Sequence, residues 1–477
     1  MKLTKIVATI GPASDDEDKI AQMLDMGVNV VRFNFKHADI PWHEERIARV
    51  KKIASEKNLQ IGTLLDLQGP EIRLRTNGTG IELKKGEWVE MIGELNGDET
   101  NAISVTQPEI IAHLETGQLV LSDDGAFRFT AHRENDKTFL EPLQDGFLKN
   151  RKTLNLPGAN IPLDVLSEQD YLGLDLAARA KIDFVALSFV RNRADVETLR
   201  EQMRQRNIVA QIIAKIENPQ AIEHLDEIID ATDGVMVARG DMGVEMPFEE
   251  VPYYTRLIIA KCVELGKPVI TATQMLESMI ESPFPTRAEV SDVATATYTF
   301  SDAVMLSGES ANGAYPMEAI EVMKKTVTFN EIRQFTDTRT HFHFKLKTQT
   351  ELLSESAYDL YQSMRRHSDV PLDGFVVFTH TGLTARVLSK FRPRLPIFAV
   401  CPSVKVARSL SLSFGVYAFV YDSQKNGDTA VEQSQVRYGL DFLLSQGSII
   451  AGNKYLVVYG DRWSVEGGSS TVKVMIA

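Results

Sequence analysis

The chain has 477 residues, 43% of them apolar, and a formal net charge of −13, so it can bury several cores and should hold two to four domains or one large barrel with additions. The acids are spread through mixed-charge stretches with no basic stripe, which excludes nucleic acid as the main partner and requires any anionic ligand to be met by local cations. Cys262 and Cys401 are the only cysteines and lack metal-ligand spacing, so neither a disulfide framework nor a zinc site is expected. No apolar run approaches the roughly 18 residues of a membrane span, and residues 1–10 lack an export signal, which predicts no membrane partner and a cytoplasmic location.

Residues 5–10 read as a short apolar strand, followed by an acidic helix start at Ser14-Asp15-Asp16-Glu17 and an amphipathic run that Gly27 stops. The pattern repeats with a strand at 28–33, a helix at 42–57 and a strand at 61–65. From residue 71 to about 155 it gives way to short alternating segments punctuated by Gly, Asn and Asp, such as Ser122-Asp123-Asp124-Gly125, which predict an all-β insertion. After Leu156-Pro157-Gly158 the alternation resumes with a helix at 167–181 and strands at 184–189, 210–214, 234–237, 269–272 and 303–306.

Eight strands, spaced roughly 25 to 35 residues apart once the insertion is removed, predict a (β/α)8 TIM barrel interrupted after its third strand by a β lid. An open doubly wound sheet is the competing architecture, although Gly11-Pro12 is a poor match for a dinucleotide fingerprint. A helix at 322–335 is followed by a polar linker over 339–350. Its His341-Phe342-His343-Phe344 reads as a half-buried extended segment in preference to a metal site. A second α/β unit follows, with strands at 375–378, 397–400, 416–420 and 456–459 and helices at 385–391 and 429–445. The expected division is 1–69 and 156–340 for the barrel, 70–155 for the lid and 341–477 for the C-terminal α/β domain.

The chemistry is expected at the strand tips. Lys215-Ile216-Glu217 closes one strand and Arg239-Gly240-Asp241 the next. Residues two apart share a face of a strand, so Lys215 and Glu217 point the same way and Ile216 points into packing. Taken alone, that pair fits an exposed ion pair equally well. Glu217 and Asp241 are hard oxygen ligands suited to Mg2+ or Mn2+. Arg32, Asn34, Asp66, Ser188, Arg239, Thr273 and Ser307 complete a polar rim, and cations beside a metal site suit a transferring phosphoryl group.

Several strings along the chain, among them Thr4-Lys5-Ile6-Val7-Ala8-Thr9-Ile10-Gly11-Pro12, Arg32-Phe33-Asn34-Phe35, Gly69-Pro70-Glu71-Ile72-Arg73, Lys215-Ile216-Glu217-Asn218 and Met305-Leu306-Ser307-Gly308-Glu309, resemble the pyruvate kinases over essentially the whole length. The resemblance implies phosphoryl transfer from phosphoenolpyruvate to ADP, giving pyruvate and ATP in glycolysis, by a homotetramer with a regulatory C-terminal domain. It implies Glu217 and Asp241 as ligands of a divalent metal, Lys215 as the cation at the phosphoryl group, and Arg32 and Arg73 as phosphate contacts. Thr273 and the amides of Gly240 and Asp241 match the substrate-carboxylate pocket, Thr273 and Ser307 the proton route, and Arg32, Asn34, His37 and Arg73, with Pro12, the nucleotide region. Thr379, Thr381, Gly382 and Thr384 resemble an effector-phosphate loop for a sugar phosphate, faced by a hairpin loop at 463–470.

The departures are informative. Asn34 and Asp66 match the family's monovalent-cation site, but Lys36 and Leu67 replace its Ser and Thr. The Lys36 ammonium is therefore expected near Asp66 in place of K+, making K+ unnecessary. Gln68 and Asn312 each stand where a Lys is usual. The alternatives are a metal-dependent pyruvate or phosphoenolpyruvate lyase on the same barrel, or a non-catalytic phosphometabolite sensor.

Overall fold

The computed structural model describes residues 1–99, 101–159, 163–333, 342–367, 371–421, 432–460 and 468–477. Eight parallel strands, β1 (Lys5–Thr9), β2 (Val30–Asn34), β3 (Gly62–Asp66), β4 (Phe184–Leu187), β5 (Gln211–Ile216), β6 (Gly234–Ala238), β7 (Val269–Ala272) and β8 (Ala303–Leu306), form a ring. β8 closes it on β1, in register from Lys5↔Ala303 to Ala8↔Leu306. The open sheet is thereby excluded. Strand alternation builds two cores. Val7, Val30, Leu64, Phe184, Ile213, Met236, Ile270 and Met305 fill the interior, whereas Ile6, Val31, Leu65, Val185, Ile212, Val235 and Val304 face the helices.

Local signals set where the outer helices begin. Asp16 caps Glu17–Asp25, Asp39 caps Ile40–Glu56, and capping boxes open Glu168–Ala180 (Ser167 with Asp170) and Arg287–Tyr298 (Thr286 with Glu289). The helix expected at 322–335 instead runs Pro316–Glu331, because Pro is tolerated in a first turn, where its missing N–H has no partner to lose. The strand expected to end at 214 continues to Ile216 and carries Lys215 within it. The strand expected to reach 189 stops at Leu187, since Phe189 turns left-handed at φ 56°.

Between β3 and β4 the chain forms a seven-stranded sheet and a two-stranded one around their own core of Leu74, Val89, Phe129, Leu140 and Leu148. Its longest hairpin, Phe127–Glu134 with Lys137–Pro142, turns on Asn135 and Asp136, both at positive φ, the geometry that matches strand twist. The C-terminal sheet contains β9 (Gly374–Phe378), β10 (Ile397–Cys401), β11 (Val416–Val420), β12 (Lys454–Gly460) and an antiparallel edge strand β13 (Ser469–Ile476), in the order β11-β10-β9-β12-β13.

The helix Gln349–His367 and the strand β13 were not expected. The helix buries Thr350, Ser354 and Gln362 beside Ala357, Tyr358 and Tyr361, and a stripe that polar reads as linker. The edge strand is partly exposed along most of its length and has no full apolar face. The expected helices at 385–391 and 429–445 are Leu383–Lys390 and Glu432–Ser445; 429–431 lie outside the described residues. Phe342 packs edge-on against Phe300 at 5.5 Å and Phe344 against Phe391 at 5.0 Å, in keeping with a half-buried segment, while His341 lies outside the described residues.

The C-terminal sheet docks on the barrel floor. Leu412 enters the interior core, and Ser411 lies so close to Gly62 that a Cβ there would stand 2.3 Å from its hydroxyl. Asp302, just before β8, accepts from Arg392 Nη2 at 2.6 Å and Nη1 at 3.0 Å, from the Phe414 N–H at 2.9 Å and from the Val269 N–H at 3.1 Å. Both side chains of this pair are less than 5% exposed. Removing one partner of such a pair strands a buried charge, whereas neutralising both does not. Arg392→Met is expected to lower stability by about 3–5 kcal/mol in urea denaturation, with much of the loss recovered in the Asp302→Asn/Arg392→Met double variant. An unchanged midpoint in the single variant would show that the junction does not depend on this pair.

Candidate active site

At the carboxyl end of the barrel the interior positions change from apolar to charged. Arg32, from β2, places Nε 2.7 Å and Nη2 2.6 Å from Asp66 Oδ2 at the tip of β3, and donates through Nη1 to Thr9 Oγ1 at 2.9 Å. Lys215, from β5, donates from Nζ to Ser188 Oγ at 2.8 Å. Its ammonium also lies 2.8 Å from Glu217 Oε1 and 3.5 Å from Asp66 Oδ1. The first is a buried ion pair at hydrogen-bonding distance, and neither carboxylate oxygen has a further hydrogen-bond donor among the described residues. Lys215 and Glu217 do share a face, and Ile216 packs into the outer core.

Burial and charge act in opposition here. Asp66 and Glu217 are each 1% exposed. Burial raises the pKa of Asp66, but Lys215 and Arg32 outweigh it and hold the carboxyl below its ordinary value. Burial pushes Glu217 up to about 7, with Lys215 opposing and the Asp241 charge adding to the rise. For Lys215, burial lowers the pKa, but Asp66, Glu217 and Asp241 together raise it well above the ordinary lysine value. The cluster thus holds a permanently charged ammonium among carboxylates in excess.

Asp241 sits in the first turn of the short helix Arg239–Glu245 that follows β6, near enough for its charge to bear on both Lys215 and Glu217. Among the described residues there is no cluster of three or more metal-ligating side chains. Two carboxylates suit Mg2+, which is commonly held by one or two acids with water and substrate oxygens completing its shell. Glu217 Oε1 is the oxygen left for such a cation to share with the Lys215 ammonium, because Oε2 is already satisfied by the Phe189 N–H at 2.7 Å.

The loop after β7 is strained. Thr273 and Gln274 lie at φ 63° and 53°, a region unfavourable for a β-branched residue. Arg239 holds it there, donating to the Thr273 carbonyl at 2.7 Å while pairing with Asp292 at 2.7 Å. Although on the rim, Arg239 serves this loop and is not among the contacts of Lys215. The Gly240 N–H is taken by Thr273 Oγ1 at 2.7 Å. Ser307 Oγ is buried without a partner among the described residues. Its N–H donates to Glu309 Oε2 at 2.7 Å, and Glu309 Oε1 accepts the Leu276 N–H at 3.1 Å. Sequence reasoning missed this organising role of Glu309; an acid two residues past a strand-tip serine was the available signal.

Lys36 does not reach Asp66 as expected. Its ammonium is 2.6 Å from Glu71 Oε1, because Asp66 is already held by Arg32 and Lys215 inside the barrel and the turn after β2 carries Lys36 outward, its N–H on Asn34 Oδ1 at 3.2 Å. Arg73 grips the other Glu71 oxygen from Nη2 at 2.9 Å. Lys36, His37, Gln68, Arg73, Arg75 and Arg151 line a cavity of roughly 1360 Å³, counting its open mouth. Burial, then the charges of Lys36, Arg32 and Arg73, lower the pKa of His37 against the opposing charge of Glu71. A second cavity shares Lys36 and contains Phe189, Asp241 and Glu245. There Asn155, on the returning strand of the insertion, donates to Glu245 at 2.7 Å.

In the C-terminal unit, Thr379 Oγ1 accepts the Gly382 N–H at 3.0 Å and Thr384 Oγ1 bonds Ser469 Oγ at 2.8 Å. Two of the three hydroxyls expected to cradle a phosphate therefore hold the loop itself, which leaves Thr381 and the backbone. Of the facing hairpin loop at 463–470, residues 463–467 lie outside the described residues.

A family model described as pyruvate kinase, barrel domain, matches residues 1–320, and one described as pyruvate kinase, alpha/beta domain, matches residues 360–475. The pyruvate kinase of Clostridium acetobutylicum is 36% identical over 485 residues, covering 100% of both chains. That of Geobacillus stearothermophilus is 39% identical over 481 residues, covering 99% of this chain and 80% of its own. A crystal structure of a pyruvate kinase from Cryptosporidium parvum superposes with a TM-score of 0.88 at 32% identity, over 100% of this chain and 96% of that one.

With Glu217 and Asp241 as the two acids available to a cation, Glu217→Gln and Asp241→Asn are each expected to weaken Mn2+ binding, read from the electron paramagnetic resonance signal of the free ion, by at least the roughly 10–100-fold that follows loss of an outer-sphere partner. Wild-type affinity in both variants would place the ion elsewhere.

Proposed function

The chain belongs to the pyruvate kinase family of phosphotransferases, and from that premise we propose that it moves the phosphoryl group of phosphoenolpyruvate to ADP, giving pyruvate and ATP in glycolysis, with no need for K+. The observation that carries this reading is the buried Lys215 ammonium between Asp66 and Glu217 at the barrel mouth. A preorganised positive charge there stabilises the negative charge that develops as the phosphoryl group leaves the enol oxygen. Arg32, fixed on Asp66, adds a second cation for the phosphoryl oxygens. Glu217 and Asp241 would hold Mg2+ or Mn2+, which when bound supplies Lewis-acid charge to the substrate oxygens. Thr273 orients the substrate carboxylate, and the unpartnered Ser307 hydroxyl is suited to relay a proton to the enolate carbon.

The nucleotide is read into the cavity lined by His37 and Arg73, beside Arg32 and Asn34. Residues 70–155 act as the lid that excludes water and so suppresses hydrolysis of the phosphoryl group. Lys36 replaces K+ as a tethered cation. Its placement on Glu71, on the wall shared by both cavities, supports a role at the lid hinge and not the direct contact with Asp66 first expected. Thr379, Thr381, Gly382 and Thr384, in residues 341–477, form the sugar-phosphate loop, with Thr381 and the backbone N–H groups left to meet the phosphate. A homotetramer in the cytoplasm, the former open to check by sedimentation, completes the reading.

In an assay coupled to lactate dehydrogenase, phosphoenolpyruvate, ADP and Mg2+ are expected to give turnover whose rate without K+ is within about twofold of that with it. A rise of about tenfold, equivalent to roughly 1.4 kcal/mol of barrel-mouth electrostatics, would overturn the replacement by Lys36. Titration with phosphorylated sugars is expected to raise the melting temperature of the wild type but not of Gly382→Val; no shift with any of them removes the effector loop.

A further inference from the structure

The inserted sheet stands on a stalk of two paired limbs. Leu154 donates its N–H to the Ile72 carbonyl at 2.9 Å and Leu74 its own to the Lys152 carbonyl at 2.8 Å, which ties the outgoing and returning limbs into one ribbon. The foot of the outgoing limb is firmly fixed. Asp170, fully buried in the first turn of its helix, accepts the Gln68 N–H at 2.8 Å and the Gly69 N–H at 3.1 Å. It also accepts the Ser167 N–H at 2.8 Å and hydroxyl at 2.7 Å. A buried carboxylate with four donors leaves this foot no slack.

The foot of the returning limb is held differently. Asn155 pairs with Leu121 in the sheet, and its side-chain amide donates to Glu245 Oε1 at 2.7 Å. Glu245 is half-buried, and Asn155 is its hydrogen-bond partner among the described residues. It closes the short helix Arg239–Glu245, in which Asp241 stands four residues earlier on the same face. Burial raises the pKa of Glu245, the Asn155 hydrogen bond lowers it, and the Asp241 charge adds to the rise, which places the two carboxylates within electrostatic reach of each other. Lys36, Glu71, Asn155, Asp241 and Glu245 line one cavity of roughly 1000 Å³, counting its open mouth, so the Asn155–Glu245 bond borders space in which the limb has room to shift.

We propose that Glu245 is a positioning residue that pins the returning limb to the helix carrying Asp241, so that one hydrogen bond sets the seat of the insertion and of the metal ligand together. The proposal rests on the readings of residues 70–155 as a lid and of Asp241 as a metal ligand. With the outgoing foot rigid, the stalk tilts by moving its returning foot, and that movement pulls on Glu245. An α-helix bonds each N–H to the carbonyl four residues earlier, so a single turn joins Glu245 to Asp241 without a flexible link. An ion that draws Asp241 toward Glu217 therefore draws Glu245 and Asn155 with it.

The test compares the full chain as wild type, Glu245→Ala, Asn155→Ala, the Asn155→Ala/Glu245→Ala double variant and Glu245→Gln. Two quantities are read: amide hydrogen exchange of residues 119–122 and 154–155, and Mn2+ affinity by electron paramagnetic resonance with no substrate present. Each alanine variant is expected to exchange about tenfold faster in those strands, as loss of one hydrogen bond allows, and to bind Mn2+ roughly threefold more weakly, within the range for residues that couple two sites. The double variant should be no worse than either single one, since both remove the same bond. Glu245→Gln, whose amide oxygen still accepts from Asn155, is expected to keep wild-type exchange. Mn2+ affinity is the readout that a merely structural clamp leaves unchanged. Faster exchange with unaltered affinity, wild-type exchange in the alanine variants, additive effects in the double variant, or exchange in Glu245→Gln as fast as in Glu245→Ala each overturn the proposal while leaving Asp241 as a ligand. A wild type that binds no Mn2+ overturns the metal reading and the link to the ion together. Asn155→Asp, similar in size but facing Glu245 with a second carboxylate, gives the same direction of change where an alanine variant proves insoluble.

Discussion

Asp66 is a carboxylate with almost no access to water, lying in the mouth of a closed barrel, and Lys215 and Arg32 stand against it and outweigh the burial that would raise its pKa. Isolated charges in such a place are neutralised or expelled. Three strands, β2, β3 and β5, must therefore deliver their side chains to one point within tenths of an ångström, and a closed ring of fixed register is the structure that does so. Once Asp66 has fixed the two cations, the remaining acids have little choice. Glu217 is left with one oxygen satisfied by backbone and one facing the Lys215 ammonium, and Asp241 adds the negative charge that makes a divalent cation welcome.

Around this cluster the backbone departs from its preferred regions. Phe189, Thr273 and Gln274 all have positive φ, and each lies in a turn directly after a barrel strand. Such conformations persist where the surroundings over-determine them. Here the determinants are visible: the Glu217 carboxylate on the Phe189 amide, and Arg239 bridging the Thr273 carbonyl to Asp292. Glu71 plays the corresponding part at the base of the inserted sheet, where it gathers Lys36 and Arg73.

The floor of the barrel is as specific as its mouth. Leu412 completes the interior core from below, and Asp302 ties Arg392 and the Phe414 amide to the start of β8. The opposite end of β8 leads into Ser307. The C-terminal sheet and the polar rim are therefore joined by one four-residue strand.

Much of this was legible in the linear chain. The repeat of apolar strands and capped helices marked the barrel, the shift to Gly- and Asn-punctuated segments marked the insertion, and a spacing of two residues put Lys215 and Glu217 on one face, because strand geometry is local. The helix Gln349–His367 was not legible, since the face it buries in the assembled domain mixes Thr350, Ser354 and Gln362 with Ala357, Tyr358 and Tyr361 and so shows no clean apolar stripe. Nor was the partner of Lys36, the diversion of Arg239 to the Thr273 loop, or the use of the Gly240 amide by Thr273. Local periodicity determines which way a side chain points. Which of several charged groups on distant strands it finally meets is decided by competition among them at close quarters, and that competition exists only once the ring has closed.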